Sequence, residues 1–241
     1  MGLDKAADLI RKMKNTTCSV VVVAAGSSQR MGTDKLYLEL EGMPVLARTL
    51  RVFDECDFVQ EVVLVAREEK VEQAAELCRA YGIRKVAKVI IGGATRTASV
   101  LAGVTSIRRD AKLVLVHDGA RPLVTEDVVR DAMHIAAIHK AAAPAIPVTD
   151  TIKETQQDIV VRTPARDSLV AVQTPQAFVP EILKAALTAA IHDGKEYTDD
   201  CAAVEALGVK VHLSKGSPEN IKITRPLDLE LAAGILRSRH E

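Results

Sequence analysis

Three short stretches of this 241-residue chain combine small residues, cations and a carboxylate at spacings that suit anion chemistry. In VVVAAGSSQRMGTDK, residues 21–35, a β-branched run ends at Gly26, and Arg30 and Lys35 follow. Small residues let backbone N–H groups approach an anion closely. Arg30 adds a planar fork of donors and Lys35 a point charge. The stretch is neither GxxxxGK[ST] nor GxGxxG. Taken alone, it reads as a phosphate cradle or as a plain turn with solvated cations. In IIGGATRTASV, residues 90–100, Gly92, Gly93, Arg96 and Ser99 surround a helix start. In VLVHDGARP, residues 114–122, Asp118 and Arg121 end an apolar run. A carboxylate at a strand end beside two phosphate-type loops is where Mg²⁺ would sit. Asp118 also suits a turn cap, but three such loops at three strand ends argue against coincidence.

Apolar runs at 19–24, 61–66, 86–91, 112–117 and 143–148 are near-continuous in Val, Ile, Leu and Ala, as strands buried on both faces should be. Helical spacing predicts helices over 44–55, 67–81, 96–108 and 126–140. This alternation predicts an α/β fold, a Rossmann-like, mostly parallel sheet with helices on both faces. Ligands in such sheets bind outside the carboxyl ends of the strands, where all three loops fall. The rhythm breaks at 149–168, a polar stretch with two short β-like pieces, which predicts a protruding β-arm. Helices near 180–192, 199–207 and 226–238 and a strand near 209–213 follow. Helical spacing of Leu3, Ala6, Ala7, Ile10 and Met13 predicts an amphipathic helix over 3–14 in an extension, 1–17, ahead of an expected single domain over 18–241.

Lys plus Arg and Asp plus Glu both number 32, so no net charge favours nucleic acid or anionic lipid. Aromatics are only 2% of residues, too few for a single-strand stacking platform. No apolar run reaches the roughly 18 residues of a membrane span. The charged start lacks the apolar stretch of a secretion signal. Cys18, Cys56, Cys78 and Cys201 lie far apart and form no CxxC, as reduced thiols in a cytoplasmic protein would. His117, inside an apolar run, reads as a hydrogen-bonded core histidine.

AAGSSQRMGTDK, GGATRTASVLAG, VHDGARP, PVTDTIK, VQTPQAF, TDDCAAVEALG and NIKITRPLDL occur in this order. Together they resemble the 2-C-methyl-D-erythritol 4-phosphate cytidylyltransferase family from about Val20 to Leu236. VQTPQAF and NIKITRPLDL are specific to it, whereas AAGSSQRMG marks the wider nucleotidyltransferase superfamily. Ser28 stands where the superfamily usually has a second Gly, and the N-terminal helix is extra.

The resemblance implies CMP transfer from CTP to a polyol phosphate, with Mg²⁺, in a homodimer. It implies transition-state stabilisation by Arg30 and Lys35, and a triphosphate held by Ala24, Ala25, Gly26 and Ser27. Gly93, Arg96 and Ser99 would contact cytosine and ribose, and Asp118 the metal and substrate hydroxyls. Arg166 and Lys222 would position the acceptor phosphate, with Thr151, Thr174 and Thr198 as hydroxyl contacts around it. Thr198, Asp199 and Asp200 also suit a helix N-terminus. A ribitol-5-phosphate cytidylyltransferase and a catalytically silent nucleotide-binding regulator are the alternatives. The intact charged residues speak against the silent regulator.

Overall fold

The run Val20–Val23 divides its side chains between two cores. Val20 and Val22 pack in one, Val21 in the other, and Val23 borders the second. The neighbouring strand repeats this, with Val62 and Leu64 on one face and Val63 and Val65 on the other. Successive strand residues point to opposite faces, so a strand covered on both sides must be apolar throughout. Each such side chain contributes about 1.5–3 kcal/mol when fully buried.

The computed structural model describes residues 16–26 and 34–239. The predicted helix over 3–14 lies outside them. The strands are β1 (Cys18–Ala24), β2 (Glu39–Leu40), β3 (Met43–Pro44), β4 (Val59–Ala66), β5 (Val86–Ile91), β6 (Val114–Asp118) and β7 (Ala141–Pro147). They continue with β8 (Glu154–Gln156), β9 (Ile159–Arg162), β10 (Val170–Val172), β11 (Gln176–Phe178) and β12 (His212–Lys215). The α-helices are α1 (Val45–Glu55), α2 (Val71–Ala80), α3 (Arg96–Ser106), α4 (Glu126–His139), α5 (Pro180–His192), α6 (Asp200–Ala206) and α7 (Pro226–Ser238).

The main sheet runs β5-β4-β1-β6-β11-β7, with β10 beside β7 on the β11 edge and β12 on its other edge. β5, β4, β1 and β6 are mutually parallel, β12 is parallel to β7, and β10 and β11 run antiparallel to their neighbours. One face carries α1, α2, α4 and α7 through Leu50, Phe53, Leu77, Met133 and Leu236. The other carries α3, α5 and α6 through Val100, Val104, Leu183, Leu187 and Val204. α3 lies close on the sheet, since a Cβ added at Gly103 would sit 2.4 Å from Val21 Cγ1. The α/β class, the mostly parallel sheet and helices on both faces are as the sequence predicts.

The chain leaves β1 for β4 and β5, then returns to pair β6 with the opposite edge of β1. The carboxyl ends of β1 and β6 therefore flank the point where strand order reverses, the usual place for a ligand crevice. The arm also forms. β8 and β9 pair antiparallel across Gln157 and Asp158, whose φ values of 49° and 64° are those of a tight hairpin turn. Ile159, Val160 and Val161 on this hairpin are 68, 53 and 54% exposed.

Two boundaries differ from expectation by three residues or more. The stretch 67–81 divides into a 3₁₀ turn over Glu68–Lys70 and α2. The late strand lies at His212–Lys215, not 209–213, because the β7 ladder begins with His212 opposite Ala142. Val209 and Val211 pack against the second core without joining that ladder.

Candidate active site

A cavity of about 410 Å³ opens at the carboxyl ends of β1 and β6. Its lining comes from Ala24, Ala25 and Gly26 at the end of β1, from Gly93, Arg96 and Ser99 after β5, from Asp118 at the end of β6, and from the cations Lys35 and Lys222. Gly93 is required where it stands, since an added Cβ would sit 2.5 Å from Ala98 Cβ. Thr95 caps α3 by accepting from Ala98 N at 3.1 Å, which fixes Arg96 at the helix start. Ser99 Oγ donates to Thr95 O at 2.9 Å, and the residue is 2% exposed. Ser99 thus ties down the loop from beneath.

A second cavity of about 140 Å³ adjoins the first, with Arg121, Gln173, Thr174, Thr198 and Asp199 in its wall. Arg96, Asp118 and Lys222 line both. Lys222 Nζ lies 3.0 Å from Asp118 Oδ2, and Arg121 Nε lies 3.3 Å from the same oxygen. Burial opposes ionisation of Asp118, but Lys222, Arg121 and Arg96 outweigh it and hold the carboxyl well below its ordinary range. Arg96 grips Asp200 through two bonds of 2.9 and 2.7 Å. Burial works against the Arg96 charge, yet Asp200 overcomes it and keeps the guanidinium firmly ionised. Among the described residues, Asp118 is the one carboxylate lining the larger cavity. No group of three or more metal-type ligands occurs among the described residues. That donor set suits a cation held by one carboxylate plus substrate phosphates and water, the usual manner of Mg²⁺.

The family model described as 2-C-methyl-D-erythritol 4-phosphate cytidylyltransferase matches residues 18–238. The chain belongs to this family. An enzyme of that name from Halalkalibacterium halodurans is 44% identical over 223 residues, covering 92% of this chain and 97% of the relative. A solved 4-diphosphocytidyl-2C-methyl-D-erythritol synthase from Anaerococcus prevotii superposes with TM-score 0.83 at 28% identity, covering 94% of this chain and 99% of that one. The cytidylyltransferase from Thermus thermophilus is 34% identical, with TM-score 0.74 and coverage of 90 and 98%.

In this cytidylyltransferase, Ala24, Ala25, Gly26, Lys35, Gly93, Arg96, Ser99, Asp118 and Lys222 converge on the larger cavity. Thr174 and Thr198 join Arg96, Asp118 and Lys222 around the smaller. Ser27 and Arg30 lie outside the described residues. Thr151 and Arg166 line neither cavity. Arg166 is exposed on the arm's return, where it donates to Thr149 O at 2.9 Å. Lys222 does not sit on a strand end, as the alternation Ile221-Lys222-Ile223 suggests. Its segment is irregular and held by Ile223 N donating to Ala120 O at 2.8 Å. Asp199, not Thr198, caps α6. Asp200, which reads in sequence as a helix-start residue, is the buried partner of Arg96. No local pattern marks that pairing, because 104 positions separate the two.

His117 is a core histidine, as expected. Its Nε2 faces Arg121 O at 3.2 Å and its Nδ1 faces Thr174 Oγ at 3.0 Å. The carbonyl only accepts, so Nε2 carries the proton. Burial lowers the His117 pKa from 6.5 to about 4, despite the nearby Asp118 charge. The folded protein therefore binds this proton less readily than the unfolded chain. Stability from this group is complete above the unfolded value and is lost as pH falls from about 6.5 towards 4. That gap corresponds to roughly 3 kcal/mol. In urea titrations, wild type should lose about 3 kcal/mol more between pH 7 and pH 4 than His117→Gln does. Equal losses would remove His117 as the source.

Proposed function

We infer that this chain transfers CMP from CTP to 2-C-methyl-D-erythritol 4-phosphate, releasing pyrophosphate. The observation that carries the reading is the family match over residues 18–238, borne on two cavities that share Arg96, Asp118 and Lys222. In this assignment the larger cavity takes the nucleotide and the smaller the acceptor. A phosphate oxygen of the acceptor forms a bond to the α-phosphorus of CTP, and the bond to the bridging oxygen of pyrophosphate breaks. The nucleophile is already an anion, so no general base is needed. The barrier lies in bringing two anions together and in charge that grows on the α-phosphate and the leaving group. Lys35 and Arg30 offset that charge. Lys222 draws the acceptor phosphate towards Asp118's side of the crevice. Thr174 Oγ is already engaged with His117 Nδ1 and with Asp118 N, the latter at 3.2 Å, so it braces the Asp118 loop.

Enzymes of this family generally use a divalent metal. We propose Mg²⁺ here, held by the Asp118 carboxylate; when bound it supplies charge neutralisation at the phosphates.

A homodimer completes the proposal. Arg166 and Thr151 sit on an arm and line neither cavity of their own chain, and the arm exposes Ile159, Val160 and Val161. A hairpin strand apolar and exposed on both faces calls for a protein surface to cover it, and a two-fold partner would bring both residues to its acceptor cavity. A cytoplasmic location is supported by four buried, unpaired cysteines, of which Cys18 is pushed by burial to a pKa of about 12. No helix among the described residues is long and apolar enough to cross a membrane.

Pyrophosphate release should be followed with CTP, UTP or ATP, a divalent cation and a panel of polyol phosphates. CTP with methylerythritol 4-phosphate should give the highest kcat/KM. A higher value with ribitol 5-phosphate would reassign the acceptor, and no release with any acceptor would leave only nucleotide binding.

A further inference from the structure

Lys35 stands on a three-residue 3₁₀ turn, Lys35–Tyr37, outside every strand and α-helix. Such a turn holds itself poorly. Its backbone bonds are Tyr37 N to Asp34 O at 3.0 Å and Leu38 N to Lys35 O at 3.4 Å. Leu36 anchors one side by entering the first core. The other side meets the connection between β4 and α2 at two points. Asp34 caps the turn through Oδ1, which accepts from Leu36 N at 3.4 Å, and its Oδ2 is paired with Arg67 Nη2. Lys70 Nζ lies 5.2 Å from the Tyr37 ring centroid. Lys70 N donates to Arg67 O at 2.9 Å, so both contacts issue from one compact turn. Arg67 directly follows β4, among the most deeply buried strands of the sheet.

We propose that Arg67 is a positioning residue for Lys35, acting through Asp34. The proposal rests on the role inferred above for Lys35 as the cation that meets developing charge. The Asp34 carboxylate connects the two: one oxygen sets the turn's geometry, the other fixes that turn to the end of β4. Side-chain exposures of 29% for Arg67 and 17% for Asp34 place the pair in a half-buried setting, where screening is weaker than at the open surface. Glu69 Oε1, 3.3 Å from Arg67 Nη1, steadies the guanidinium from the solvent side. Near reacting phosphates, a displacement of about 1 Å in a charged group can reduce rate on the order of 10²-fold. The latch therefore matters to the chemical step much more than to the fold.

Steady-state kinetics of Arg67→Ala, Asp34→Asn, Lys35→Ala and the double variant Arg67→Ala/Lys35→Ala test this. Asp34→Asn keeps a capping oxygen and removes the charge. Arg67→Ala and Asp34→Asn should each lower kcat roughly ten- to a hundredfold, with the KM for CTP changed less than about threefold. Arg67→Lys should recover part of the loss. With Lys35 already replaced, Arg67→Ala should lower kcat by no more than about twofold, because its effect passes through a missing side chain. An equal loss in both backgrounds overturns the proposal, as does unchanged kcat in either Arg67→Ala or Asp34→Asn. Wild-type kcat in Lys35→Ala would instead overturn the role assigned to Lys35, and the latch with it.

Discussion

Replacing Lys35 by Ala should lower kcat by about 10²–10³, with the KM for CTP within a few-fold of wild type. Lys35 lines the larger cavity together with Ala24, Ala25, Gly26, Gly93 and Arg96. In the proposed reaction, a cation there meets the triphosphate both before and during bond breaking. Charge on the leaving pyrophosphate grows only as the bond breaks, so the ammonium contributes more in the transition state than in the bound ground state. Losing one such donor costs about 3–4 kcal/mol of barrier. Lys222→Ala should behave differently. Lys222 lines both cavities and pairs with Asp118 at 3.0 Å, so under the proposed assignment it serves the acceptor side as well. Its loss should raise the KM for the acceptor and lower kcat, with the KM for CTP little changed. A Lys35→Ala enzyme that differs only in the KM for CTP would show ground-state binding alone. Identical kinetic signatures for the two variants would erase the division into nucleotide and acceptor sides.

Some of this arrangement was legible because burial leaves a pattern. β1, β4 and β6 are covered on both faces, so their sequences are continuous apolar runs, and the small residues after β1 and β5 mark the strand ends where the cavity lies. The pattern fails where tertiary contacts replace it. Ile221, Lys222 and Ile223 alternate as a strand would, yet Ile223 packs in the first core while its N–H bonds the Ala120 carbonyl, and the segment pairs in no ladder. Asp200 and Asp199 are adjacent acids of one TDD motif. One caps α6 and the other enters the core to hold Arg96, and only the three-dimensional approach of α3 and α6 separates those tasks. The Arg67 contact to Asp34 is equally invisible, since 33 positions lie between an ordinary surface-type Arg and an ordinary turn Asp. Arg166 illustrates a further limit. Its motif spacing suggests a site residue, but among the described residues its side chain bonds the Thr149 carbonyl and lines neither cavity.

That placement of Arg166 leads to a mixed-dimer result. Arg166→Ala and Lys35→Ala homodimers should each be nearly inactive, while dimers containing one chain of each should regain activity. Lys35 belongs to the cavity built by β1, β5 and β6 of its own chain. Arg166 follows a hairpin whose apolar residues are uncovered, and it lines neither cavity of that chain. If the arm crosses a two-fold axis, each site joins the cavity of one chain to the arm of the other. In a mixed dimer, the Arg166→Ala chain keeps an intact cavity and the Lys35→Ala chain lends it an intact arm. One of the two sites is then whole. Random association makes about half of the dimers mixed, so roughly a quarter of wild-type activity should return. The chains must be exchanged, for example by co-expression with two different tags, and the doubly tagged fraction isolated. That purified fraction should reach about half of wild-type activity, because every dimer in it has one complete site. Doubly tagged dimers as inactive as both parents would mean that Arg166 serves its own chain or stands outside the chemistry. Complementation would show that the cavity described here is completed by a second copy.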